Sequence, residues 1–243
     1  MPNYSPKWTR DEAVAHLRAV DKHMAAIIDR VGACKFSKRS NHSLYEMLFR
    51  AIVFQQLAGM AAGSILNKVC LLYHPVPIKR NKQGYYGAPE CYPQPEEILR
   101  TPDDLLRSAG LSRNKLASIK DLAAKALDGT VPSRRSAHYL SDDELIERLT
   151  AIRGVGVWTV EMLLIFGLGR ADILPVGDYG VRKGYAIAYK KKELPKPKEL
   201  LKAGEKWRPY RSIASWYFWR AVELPDGKRV TAAKVKAAQA ARS

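Results

Sequence analysis

Apolar residues recur along most of the chain at three- and four-residue spacings, the period of a helix with one buried face. The clearest case is Leu116, Ile119, Ala123 and Leu127, followed by Gly129 where a helix stop belongs. Leu145, Leu149 and Ile152 form a second stripe, and Val160, Leu163, Leu164 and Phe166 a third. Helix-start signals precede such stretches. Thr9 with Glu12, Ser43 with Glu46 and Ser141 with Glu144 have capping-box spacing, in which hydroxyl and carboxylate satisfy each other's backbone N–H. Thr101-Pro102-Asp103-Asp104 offers an N-cap, a proline at the first helical position and early acids. Alternating polar and apolar runs, the mark of a half-buried strand, are absent. The pattern predicts an all-α chain with short loops and one irregular segment, Pro75 to Pro95, carrying Gly, Pro and Tyr.

Between the second and third stripes stands Gly154-Val155-Gly156, which makes the pattern a helix-hairpin-helix. Glycine at 154 and 156 lets a backbone approach something closely with no Cβ in the way. The amides that follow such a turn, at a helix N-terminus, point outward as anion donors. A tight turn between two helices of an ordinary core shows the same Gly-x-Gly. Asp178 follows beyond a loop, Gly167 to Gly177, and just before Tyr179-Gly180-Val181-Arg182, where the helical pattern resumes. Aspartate there is an ordinary N-cap. The same position orients its carboxylate, and the helix dipole favours negative charge there.

Charge decides which anion the hairpin suits. The chain has 243 residues, 47% hydrophobic and 27% charged, with 41 Lys+Arg against 24 Asp+Glu and a net charge of +17. The basic excess recurs at Lys35 to Arg39, Lys79 to Lys82, Lys190 to Lys192 and Lys196 to Lys206. Any one run is a solvated face; the recurrence points to a polyanion, and a nucleic-acid phosphate is the first candidate. No segment is long and apolar enough to span a membrane, and no secretory signal is present. Three cysteines without a CxxC and five histidines without an HExxH argue for free thiols, and against a disulfide framework or a catalytic transition metal. The expected compartment is reducing: the cytoplasm, or the nucleus in a eukaryote. The Ala- and Lys-rich tail, Ala232 to Ser243, receives no role.

The hairpin followed by an aspartate resembles the signature of the helix-hairpin-helix (HhH-GPD) DNA glycosylase superfamily, in particular its 3-methyladenine DNA glycosylase II group. The likeness runs from about residue 40 to residue 222. Arg50 to Leu57 (RAIVFQQL) is similar to the group's first block, and Tyr92 to Leu99 and Ala109 to Lys115 to its middle. Trp207 to Ser212, continuing to Trp219-Arg220, is similar to its last block. The resemblance implies one all-α unit over residues 1–243 with two helical lobes. Residues 36–170 would form the middle lobe, residues 1–35 plus 171–243 the other, and the active site would lie in the cleft between them. The implied activity is base excision repair. On this resemblance the protein would bind double-stranded DNA as a monomer, flip out an alkylated purine of the 3-methyladenine or 7-methylguanine type, and hydrolyse its N-glycosidic bond to leave an abasic site.

Residue by residue, Asp178 matches the family's catalytic aspartate, whose carboxylate stabilises positive charge growing on the sugar. Trp219 matches an aromatic that stacks on the extruded base, where a cationic base suits a π-face. Trp216 and Tyr217 fit core or rim. Trp158, a base-pocket candidate or a core aromatic, stands where strand-cutting relatives carry a lysine nucleophile, which implies a hydrolase without lyase activity. Gln56, Leu57 and Ala58 match the turn that plugs the gap left by the flipped base. Gly154, Gly156 and Thr159 match the phosphate grip, and the Ile152 and Gly154 carbonyls could hold a structural Na⁺ or K⁺; no other cofactor is implied. Arg182, Lys183 and Arg211 fit phosphate contacts or internal ion pairs. The chain departs from relatives in lacking the cysteines of an iron–sulfur loop after Cys91 and in having no room for an N-terminal sheet domain. It also carries Val160 where alanine is usual and an apparent insertion over Ile78 to Pro89. Two rivals stay open: a non-catalytic module that recognises damaged DNA, and a glycosylase for a different lesion.

Overall fold

A computed structural model describes residues 8–37 and 42–225. Thirteen α-helices form among them: α1 (Arg10–Val20), α2 (Lys22–Val31), α3 (Leu44–Phe54), α4 (Gly59–Leu71), α5 (Pro95–Arg100), α6 (Asp103–Ser108), α7 (Arg113–Leu127), α8 (Arg134–Ala137), α9 (Asp142–Thr150), α10 (Val157–Met162), α11 (Tyr179–Ala188), α12 (Pro197–Gly204) and α13 (Arg211–Glu223). A π-helix, Leu163–Leu168, follows α10, and a 3₁₀ turn, Glu205–Trp207, follows α12. No strand forms among the described residues; a single antiparallel bridge pairs Arg80 with Tyr86. No described helix is long and apolar enough to cross a membrane. The tail from Ala232 lies outside the described residues.

The start signals act as their chemistry requires. The boxes at Thr9, Ser43 and Ser141 close reciprocally on Glu12, Glu46 and Glu144. The α7 stripe ends at Asp128, and Gly129 turns left-handed at φ +84°. One start moves by a residue: Pro102, not Thr101, caps α6. Thr101 ends α5 instead, and its hydroxyl donates to Glu97 O at 2.7 Å and accepts from Tyr73 Oη at 2.7 Å. The loop before Asp178 also starts later than Gly167, because the π-helix carries the chain to Leu168.

The chain divides into two compact units. The first holds described residues 42–163, the second residues 8–37 with 164–225. The boundaries expected at 35/36 and 170/171 thus shift. Phe36 packs on Trp8 and Phe166, with ring centroids 5.8 and 5.9 Å apart, and Arg170 O accepts a hydrogen bond from Ser212 Oγ at 2.7 Å. Those contacts draw both stretches into the second unit.

In the first unit α3 packs on α7, and Leu48, Phe49, Ile52 and Val53 of α3 and Leu116, Ile119, Leu122 and Ala123 of α7 are all buried. In the second, α13 is the central helix. Residues Arg211 to Phe218 are all buried, eight in succession, so no face of that stretch meets water. It packs on α11 so closely that a Cβ on Gly184 would run into the Phe218 carbonyl. Each large side chain fully buried there, such as Phe218, contributes on the order of 2–3 kcal/mol. Trp219 and Arg220 are where α13 regains partial exposure.

Candidate active site

In the second unit Asp178 caps α11. Its Oδ1 accepts the Val181 N–H at 2.7 Å and the Trp219 indole Nε1–H at 2.8 Å. One carboxylate oxygen thereby fixes the start of a helix and an aromatic side chain 41 residues away, and its own orientation is fixed in return. Glycine at 180 makes the juxtaposition possible, since a Cβ there would lie 2.7 Å from the Trp219 ring and 3.1 Å from Asp178 Oδ1. The loop leading to Asp178 is tied to the start of α13. Arg211 Nε donates to Asp172 Oδ1 at 2.7 Å and Nη2 to Oδ2 at 3.1 Å, while Ile173 N–H donates to Ser212 Oγ at 3.0 Å. The Phe166 ring lies beside Trp219, centroids 5.6 Å apart and planes tilted by 32°. Phe166 sits in the π-helix, whose extra residue per turn rotates the side chains that follow it; such irregularities cluster at functional sites.

In the first unit the hairpin and the plug turn share one support, α7. Gly154 turns at φ +76°, and a Cβ on it would stand 2.7 Å from Ser118 Oγ. Arg153 N–H donates to Asp121 Oδ2 at 2.7 Å, and Lys125 holds Oδ1 of the same carboxylate at 2.6 Å. One turn earlier on α7, Lys115 Nζ donates to the Gln55 carbonyl at 2.8 Å and to the Val53 carbonyl, satisfying groups that the end of α3 leaves open. Burial pushes the Lys115 ammonium below its usual range. Gln55 Nε2 then donates to the Gly154 carbonyl at 2.9 Å and ties plug turn to hairpin. Gln56 holds a left-handed backbone (φ 57°), and Leu57, 39% exposed, and Ala58 stand outward at the tip.

Gly156 differs from Gly154. Its φ of −97° suits any residue, and no atom lies within 4 Å of where its Cβ would be. The fold itself does not require glycine there; the open space beside it leaves room for a partner to approach the backbone closely. Trp158 is 53% exposed in the first turn of α10, so it is no core aromatic. Thr159 is a correction to the expected phosphate grip. It is buried, and its amide donates to the Gly156 carbonyl at 2.9 Å, closing the first turn of α10 instead of facing outward. The Ile152 carbonyl accepts Val155 N–H at 3.0 Å and the Gly154 carbonyl accepts Gln55 Nε2–H at 2.9 Å, one bond each on an oxygen with two lone pairs. Arg211 is an internal ion-pair residue, Arg182 donates to the Pro195 carbonyl at 2.9 Å, and Lys183 is buried. Trp216 and Tyr217 lie in the core.

Four roles were not read from the sequence. Phe166 counted as one more member of an apolar stripe. Lys115 counted only as the end of the Ala109–Lys115 block, and Ser118 and Asp121 received no role, although the three-residue spacing of Lys115, Ser118 and Asp121 places them on one side of α7.

Comparison with known proteins shows the family. Residues 49–209 match the family model described as "HhH-GPD superfamily base excision DNA repair protein". The chain is 36% identical over 220 residues to DNA-3-methyladenine glycosylase 1 of Schizosaccharomyces pombe, covering 88% of this chain and 89% of the relative. It is 23% identical over 177 residues to DNA-3-methyladenine glycosylase 2 of Escherichia coli, covering 72% and 56%. The structure of an S. pombe 3-methyladenine DNA glycosylase in complex with abasic DNA is similar at a TM-score of 0.71 and 35% identity, over 88% of this chain and 98% of that one. A DNA-3-methyladenine glycosidase from Bacillus halodurans gives a TM-score of 0.72 at 30% identity, over 91% of each chain. The chain belongs to the HhH-GPD superfamily of base excision DNA repair proteins.

Proposed function

We propose that this protein is a DNA glycosylase that removes alkylated purines of the 3-methyladenine and 7-methylguanine type by hydrolysis. The observation that carries the reading is the Asp178 carboxylate, fixed by the Val181 amide and the Trp219 indole beside the Trp219–Phe166 aromatic pair. A module that only recognises DNA has no use for an oriented carboxylate beside a part-exposed aromatic wall. The names of the relatives support alkylated bases as the substrate class.

The first unit acts on the duplex. The Gly154–Gly156 hairpin grips a phosphate through backbone amides, with any Na⁺ or K⁺ held on the Ile152 and Gly154 carbonyls, and the Gln56-Leu57-Ala58 turn fills the gap left by the extruded nucleotide. The second unit acts on base and sugar. Alkylation at N3 or N7 makes the purine cationic, and the electron-rich faces of Trp219 and Phe166 bind it. The C1′–N bond breaks with its electron pair going to the base, which leaves neutral and needs no added proton. Asp178 stabilises the oxocarbenium-like sugar and orients a water, whose oxygen bonds to C1′ while its proton passes to the carboxylate. With Trp158 where a lysine would be needed, no Schiff base forms.

The test is base release from methylated duplex DNA with sodium borohydride present in a parallel reaction. Release of 3-methyladenine and 7-methylguanine with no trapped protein–DNA adduct is expected. A trapped adduct, or binding without release across a panel of lesions, would overturn the reading.

A further inference from the structure

The Ile78–Pro89 excursion is a second, independent feature of the first unit. Arg80 bridges to Tyr86, Gly87 N–H donates to the Lys79 carbonyl at 3.0 Å, and Asn81 N–H donates to the Tyr85 carbonyl at 2.9 Å. Asn81 Oδ1 accepts the amides of Gln83 and Tyr85 at 3.0 and 2.9 Å, and Gly84 turns at φ +82°. The segment is therefore a built hairpin, although no helix or strand pattern marks it.

The hairpin is docked on the two helices that flank the plug turn. Tyr86 covers Gly63 of α4, where a Cβ would lie 2.7 Å from its ring. Arg50 of α3 donates to the Gly87 carbonyl at 3.0 Å and lays its guanidinium 4.1 Å from the centroid of the Phe54 ring. Ile78 N–H donates to Asn67 Oδ1 of α4 at 2.7 Å. Tyr85, 51% exposed, lies 3.8 Å from where a Cβ on Gly59 would stand, and Gly59 directly follows Ala58 at the plug tip. Leu57 and Met60, 39% and 53% exposed, lie on either side of that join. Lys79, Arg80 and Lys82 supply three cations with no acid before Glu90, which pairs with Lys79 at 2.9 Å.

We propose that this hairpin is a second DNA-contacting element, in which Tyr85 packs on the sugar edge beside the plugged gap and Lys82 meets a flanking phosphate. The inference rests on the plug reading above. A surface continuous with the plug, apolar at its centre and basic at its fringe, matches a duplex opened at one step. Unstacked bases and deoxyribose offer apolar contact there, and phosphates border it. A protein groove would be complemented by charges of both signs, which this tip lacks.

The test uses the full chain carrying Lys82→Ala or Tyr85→Ser, with fluorescence-anisotropy titrations of intact duplex and of duplex bearing a stable abasic analogue, from 50 to 200 mM salt (about the span over which counterion release is read). Lys82→Ala is expected to lower the slope of log K against log salt by about 0.9. Tyr85→Ser is expected to weaken binding to the opened duplex by roughly threefold to tenfold, with little change on intact duplex. An unchanged melting temperature in both variants shows that the fold persists. Wild-type slope and affinity in both would overturn the proposal while leaving the glycosylase reading intact, and would point to a protein partner for the hairpin. A wild type that did not prefer the opened duplex would overturn the plug reading and this inference with it.

Discussion

Two glycines two residues apart separate what the fold needs from what a ligand needs. Alanine at 154 meets a left-handed φ and Ser118 Oγ at 2.7 Å, so Gly154→Ala is expected to cost about 1–2 kcal/mol of stability. Alanine at 156 meets open space and an ordinary φ, so Gly156→Ala is expected to cost no more than about 1 kcal/mol, the difference between glycine and alanine as an N-cap. Both should weaken duplex binding: the Gly156 methyl stands in the open space a close partner would occupy, and the Gly154 methyl, pressed on Ser118, reshapes the turn that presents the amides. Urea denaturation beside anisotropy titrations checks this. A Gly156→Ala protein that bound DNA as tightly as wild type would contradict a phosphate at the hairpin. Asp178 was legible as an N-cap beside a suspect aromatic, since the cap depends on near neighbours. Its bond to Trp219 was not, because only the close packing of α11 on α13 brings the two together.

At the scale of elements, one buried carboxylate joins three of them. Asp21 caps α2, accepts Trp207 Nε1–H at 2.8 Å from the 3₁₀ turn, accepts the Tyr189 hydroxyl from the end of α11, and pairs with Lys206 at 3.0 Å. Burial raises its pKa, but the bonds from Tyr189, Trp207, Lys206 and the Met24 amide outweigh burial and leave it below the ordinary carboxylate value of 3.8. A folded pKa below the unfolded one gives stability that is complete above about pH 4 and is lost as pH falls through the folded value. Asp21→Asn is expected to lose about 2–3 kcal/mol at neutral pH and to show a flatter acid limb than wild type. Chemical denaturation from pH 7 down to about pH 3 checks both; parallel acid limbs would contradict the role. Helix starts and stripes were legible because a capping box and a 3.6-residue period are local. The π-helix was not, since nothing in LLIFGL distinguishes it from a further turn of α10. The polar face of α7 was hidden for a related reason: Lys115, Ser118 and Asp121 act on residues some 30 to 60 positions away.

For the whole molecule, the net charge of +17 fits a polyanion as partner, and the hairpin is the element proposed to hold it. Neither says that a bond is broken. That claim depends on Asp178, whose replacement by asparagine keeps an N-cap and a hydrogen-bond acceptor for Trp219 while removing the charge. The most direct test is therefore Asp178→Asn beside wild type on methylated duplex DNA, with base release and duplex affinity measured on the same preparations. The account expects release to fall by at least about a thousandfold, the scale of losing an electrostatic group of this kind, with affinity changed less than about threefold. Base release by the purified variant at a rate near wild type would contradict it.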